Sequence, residues 1–150
     1  MSEERRRLAA EEPMAGPPKS RPSIAPARIW RALVFSMQGL ASAWQTEGAI
    51  RQEVVAALVL IPAALWVPTL SAVERVLLVG SVLLVIMVEL LNSAMEAVVD
   101  RIGPERHPLS KKAKDTGSAA VLVAIVIALV TWGFLLGPIA WAALVAQRGG

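Results

Sequence analysis

Residues 76–100 read VLLVGSVLLVIMVELLNSAMEAVVD. The run is as apolar as a lipid tail through Val88, yet it then carries Glu89, Asn92, Glu96 and Asp100. At 100° per residue these positions, at i, i+3, i+7 and i+11, share one stripe of a helix. A greasy helix striped with acids at one end sets the terms for the rest of the chain.

The 150 residues are 55% hydrophobic, and the mean hydropathy of +0.57 lies well above that of a soluble domain. Val54–Ser71, Val76–Ala97 and Ala119–Leu136 each approach the ~20 apolar residues that ~30 Å of hydrocarbon requires. In so short a chain too little protein remains to cover three such runs as a soluble core, so the expected fold is all-α, with three transmembrane helices.

There is no cysteine, which removes disulfides, thiolate metal sites and cysteine nucleophiles. Residues 1–27 hold no apolar core for a secretory signal, and five of the ten prolines fall within the first 26, so a disordered tail is expected there. The net charge is only +3, but Arg28, Arg31 and Arg51 precede the first span, and Arg101, Arg106, Lys111, Lys112 and Lys114 separate the second from the third. The other connector offers Glu74 and Arg75. The positive-inside rule therefore puts the N-terminus and residues 101–118 in the cytoplasm, and the basic residues need no nucleic acid to explain them.

Residues 28–53 read as an amphipathic helix on the cytoplasmic interface. Trp30, Leu33, Met37, Leu40 and Trp44 repeat every three or four residues, and Arg31, Gln38, Ser42 and Gln45 lie off that stripe. Packing on protein is the alternative. Pro62 falls inside the first span, where a kink is tolerable. Trp66 and Trp132 fit an outer aromatic belt. Gly137 and Pro138 interrupt the third span, and the extension 137–150 either continues the helix or lies in the interface.

An acid in hydrocarbon costs several kcal/mol, so Glu89 needs a purpose. With the second span starting at Val76, Glu96 reaches the cytoplasmic boundary and Glu89 lies about 10 Å deeper. Burial there disfavours ionisation and makes the carboxylate a stronger base. That separation argues against both glutamates gripping one ion, so a cation on Glu96 needs a second ligand from another segment. Glu47 sits at the matching level. Plainer readings stand beside these: an ion pair of Glu47 with Arg51, a polar clasp at Glu89, a surface role for Asp100, lipid-phosphate attraction for Lys111, Lys112 and Lys114, and a solvated His107. P-loop, protein-kinase, dinucleotide and hydrolase signatures are all missing.

AIRQE (49–53), VELLNSAMEAVVDRIG (88–103) and AKDTGSAAVL (113–122) resemble the signature blocks of the prokaryotic diacylglycerol kinase family, of the Gram-negative type, with likeness from about Arg28 to Leu136. The resemblance implies a homotrimer of three-span chains at the inner membrane, each with a surface helix, that share active sites and use ATP and magnesium to turn diacylglycerol into phosphatidic acid. It implies Glu89 as general base, Asn92 as support for the catalytic helix, and Glu47 and Glu96 as magnesium ligands. Nucleotide contacts would be Arg28, Phe35, Glu105, Arg106, His107, Lys114 and Asp115. Substrate contacts would be Arg28, Ser36, Trp44, Arg51, Glu53, Trp66, Glu89 and Ser118. The chain departs from the family pattern at Phe35, Met37 and Lys111. A polyprenol kinase is the runner-up; a small ion or proton transporter and an adaptor without chemistry are the rivals from other classes.

Overall fold

A computed structural model describes residues 26–103, 105 and 107–148. Four helices account for nearly all of them: α1 (Pro26–Thr46), α2 (Gly48–Trp66), α3 (Ala72–Ile102) and α4 (Pro108–Arg148). There is no strand among the described residues, and α2, α3 and α4 are each long and apolar enough to cross a membrane. The expected all-α, three-span architecture is therefore what the chain adopts. The expected tail lies outside the described residues up to position 25. The chain divides after Ser36 into two units, and the packing below concerns the second.

The helix ends follow local chemistry and move several expected boundaries. The helical run expected over 28–53 is divided at Glu47, which is extended at φ −104°, ψ 119° between α1 and α2. Arg51 secures this break, its Nη1 donating to the carbonyls of Trp44 at 3.1 Å and Gln45 at 3.2 Å. Those carbonyls belong to the last turn of α1, where helical partners run out.

The first span, expected to reach Ser71, stops at Trp66. Val67 precedes Pro68 and takes an extended conformation (ψ 114°), since the proline ring disfavours a helical residue before it. Ser71 then opens α3 with a capping box: its Oγ accepts from the Glu74 N–H at 3.3 Å, and its own N–H donates to Glu74 Oε2 at 2.7 Å. The helix thus starts four residues before the expected Val76. Arg75 Nη2 donates to Val67 O at 3.0 Å and ties the connector to it.

α3 ends before Gly103, whose φ of 155° is a conformation that L side chains rarely adopt. α4 starts with proline at its first position, where no N–H is needed. His107 precedes it and accepts the Leu109 N–H on Nδ1 at 3.2 Å. The helix runs on through Gly137 and Pro138 to Arg148, which resolves the extension as helix.

α3 packs against both α2 and α4, most extensively against α4. Ile50, Ala57 and Ala64 are the buried residues of α2, spaced by seven, and Gly117 and Ala124 repeat that spacing on α4. Small residues at such positions let membrane helices approach closely. Ala64, Leu70 and Leu78 form the core beside the α2–α3 connector, joined by Trp132, Leu135 and Ile139. The buried residues of α3 are Leu78, Ser81, Val82 and Glu89, so one packing face is apolar at the connector end and acidic toward the other.

Candidate active site

The acidic half of α3 carries the site. Glu89 retains only 7% of its exposure, an unusual state for a glutamate on an apolar helix. One turn on, half-buried Asn92 donates from Nδ2 to Glu96 Oε1 at 3.3 Å. Its own Oδ1 is buried with no hydrogen-bond partner.

Four carboxylates belong to this half of the chain's helices: Glu89 and Glu96 on α3, Glu47 at the α1–α2 break and Glu53 in the first turns of α2. The stripe located Glu89 and Glu96, the matching level pointed to Glu47, and the family resemblance alone pointed to Glu53. Glu53 Oε2 is buried and unpartnered, and its side chain edges a cavity of about 210 Å³ lined by Leu60, Val82, Ile86, Ile125 and Leu129. An acid is thus the one charged group on an otherwise apolar hollow.

The plainer reading of Glu47, an ion pair with Arg51, is not adopted. Arg51 is committed to the α1 carbonyls, and Glu47 only accepts from Thr46 Oγ1 at 3.3 Å. Asp100 keeps the expected surface position, its side chain 66% exposed, and pairs there with Lys114 across the α3–α4 connector. The hydrogen bond to Asp100 holds the Lys114 ammonium above the usual lysine range, in the turns of α4 that precede the apolar stretch 119–136. Lys111 pairs with Asp115 one turn along α4. Asp100, Glu105, His107, Lys111, Lys114 and Asp115 surround a cavity of about 440 Å³. The structure therefore brings together Glu105, His107, Lys114 and Asp115 of the expected nucleotide set.

Arg106 lies outside the described residues. Arg28, Phe35 and Ser36 stand on the first half of α1, where the Ser36 hydroxyl donates to Ala32 O at 2.9 Å. Trp44 lies near the end of α1 and Ser118 is exposed on α4. Trp66 is 84% exposed at the far end of α2, about 20 Å from Glu53 at 1.5 Å per residue, so those two residues cannot touch the same polar headgroup.

The donor chemistry suits a hard cation held partly by a ligand. Among the described residues no cluster of three or more acids, histidines or cysteines is placed to hold a metal by itself. Magnesium characteristically uses one or two carboxylates and completes its shell with phosphate oxygens and water. Glu47 and Glu96, with a phosphate ligand, fit that pattern.

The model of the family described as prokaryotic diacylglycerol kinase matches residues 34–136. The chain is 56% identical over 109 residues to the diacylglycerol kinase of Escherichia coli, covering 73% of this chain and 88% of that one. It is 50% identical over 109 residues to the diacylglycerol kinase of Pseudomonas aeruginosa, with 73% and 88% covered. The diacylglycerol kinase of Helicobacter pylori is 43% identical over 110 residues, with 73% and 82% covered. The matched region spans α2, α3 and the apolar length of α4, and so includes Glu47, Glu53, Glu89 and Glu96. The chain belongs to the prokaryotic diacylglycerol kinase family, a family of lipid kinases.

Proposed function

We propose that this protein transfers the γ-phosphoryl group of ATP to the free hydroxyl of diacylglycerol, giving phosphatidic acid at the cytoplasmic face of the bacterial inner membrane. The observation that carries the proposal is the burial of Glu89 beside Asn92 and Glu96 on a membrane-length helix. A lipid alcohol lies just beneath the headgroups, and Glu89 would meet it there. Its carboxylate accepts the hydroxyl proton as the oxygen attacks phosphorus. Asn92, hydrogen-bonded to Glu96, supports the same face of the helix.

Phosphoryl transfer asks mainly for positioning and for charge to meet the developing negative oxygens. Lys114 would supply positive charge at the connector cavity that Glu105, His107 and Asp115 also line, and a nucleotide bound there would be bordered by these residues. Arg28, Phe35 and Arg106 are assigned to the nucleotide by family resemblance alone. Glu47 and Glu96 would hold magnesium, which when bound neutralises charge on the phosphate oxygens. Glu53, at the rim of its apolar cavity, would face the polar end of the lipid, with Ser36, Trp44, Arg51 and Ser118 as further contacts and Trp66 reached only by an acyl chain.

One three-helix chain is thin around this site, which supports a homotrimer whose neighbours complete it. No residue of α1 is buried, in keeping with an interfacial helix whose tryptophans enter the headgroup layer. The basic residues before α2 and around the α3–α4 connector support a cytoplasmic placement of both.

Purified protein given labelled ATP and magnesium, with diacylglycerol and undecaprenol presented in parallel at equal mole fraction, should label diacylglycerol at least about tenfold faster, a preference equivalent to about 1.4 kcal/mol in the transition state. Preferential labelling of undecaprenol would replace the substrate, and labelling of neither would remove the proposal.

A further inference from the structure

Gly117 stands in α4 two residues after the expected nucleotide contact Asp115, in a helix interior where glycine is a poor choice. Its backbone does not require it, because Gly103 is the only described residue with positive φ. The space does. A Cβ built on Gly117 would lie 2.2 Å from Asn92 Oδ1 and 3.3 Å from Asn92 Cγ, well inside the approach that real Cβ atoms make. Gly39, Gly80, Gly133 and Gly137 would each meet nothing within 4 Å, so this close approach is particular to Gly117 among the helical glycines described.

The atom occupying that space belongs to a planar amide whose other branch does the bonding. Asn92 Nδ2 holds Glu96 Oε1 at 3.3 Å, already near the outer limit of a hydrogen bond. Oδ1, buried and without a donor, rests where a side chain at position 117 would be. Displacing Oδ1 swings the rigid amide and takes Nδ2 out of reach of Glu96. Metal-binding carboxylates depend on such outer partners to fix their orientation.

We propose that Gly117 is a positioning residue for the metal site: by leaving room on α4 for the Asn92 amide, it lets that amide hold the Glu96 carboxylate in its ligating orientation. The inference rests on Glu96 as a magnesium ligand, and it adds the α4 backbone as the surface that sets this ligand. The clash involves the end of a side chain and no backbone atom, and alanine is the better helix former, so Gly117→Ala should fold.

The test uses full-length protein in lipid discs with Mn²⁺ as a paramagnetic probe and a non-hydrolysable ATP analogue, bound metal being read by electron paramagnetic resonance. Gly117→Ala should weaken Mn²⁺ binding about tenfold without lowering the thermal unfolding midpoint. Asn92→Ala should weaken it similarly, and the Asn92→Ala/Gly117→Ala double variant no further, since the amide that the added methyl group would strike is gone. Wild-type binding by Gly117→Ala alongside weakened binding by Glu96→Gln overturns the positioning role and leaves the metal assignment intact. Wild-type binding by Glu96→Gln overturns the metal assignment and this inference together. A Gly117→Ala loss that persists undiminished in the Asn92→Ala background identifies a general packing defect and also overturns the inference.

Discussion

Glu89→Gln is expected to lower turnover by about 10²–10⁴-fold, or about 2.7–5.4 kcal/mol of transition-state stabilisation, while nucleotide binding persists. The amide matches the carboxylate in size but exchanges one acceptor oxygen for a donor NH2 group, and it cannot take up the hydroxyl proton. Folding should survive, because the substitution removes a potential charge from a site with 7% exposure rather than introducing one. Steady-state rates with diacylglycerol, together with a nucleotide titration on the same preparation, separate loss of the base from loss of the ATP site. Turnover within about threefold of wild type would remove Glu89 from the chemistry.

The second large effect is expected at Glu96. Glutamine there still accepts the Asn92 Nδ2 hydrogen bond but no longer offers a full negative charge to a cation. The magnesium concentration for half-maximal activity should rise at least about tenfold, with the lipid KM little changed. The contrast in KM matters, since a collapsed site would disturb metal and lipid together. An unchanged magnesium titration would assign the metal to other residues.

Much of this was legible in the residues. Three apolar runs of bilayer length announced the helices, and the i, i+3, i+7 spacing of Glu89, Asn92 and Glu96 put them on one face. Two boundaries that moved carried local signals with plain physics: Val67 before Pro68 stops α2, and the Ser71–Glu74 capping box starts α3. Both are short-range effects readable from neighbours in sequence.

What the sequence left open depends on contacts between distant residues. Arg51 had a carboxylate four positions back and two helix-end carbonyls within reach; only the break at Glu47 decides for the carbonyls. Asp100 and Lys114 lie on opposite sides of a connector, so their pairing requires α4 to fold back along α3. Gly117 escaped notice for the same reason. A glycine inside a helical pattern does signal a packing constraint, but only the seating of α4 on α3 identifies Asn92 as what it accommodates. The site's chemistry was therefore visible as a list of residue types, and its architecture was not.

Glu89 and Glu53 both stand on membrane-length helices, and the proposed function gives them different tasks. In that proposal Glu89 takes the proton, and Glu53, which lines the apolar cavity, meets the lipid. The most direct test compares Glu89→Gln and Glu53→Gln in one vesicle preparation, following transfer of labelled phosphate to diacylglycerol over a range of lipid mole fractions. Glu89→Gln is expected to lose kcat at every lipid concentration, whereas Glu53→Gln should raise the lipid KM and keep kcat within about tenfold of wild type, or about 1.4 kcal/mol. Loss of kcat in Glu53→Gln with near-normal kcat in Glu89→Gln would contradict that assignment.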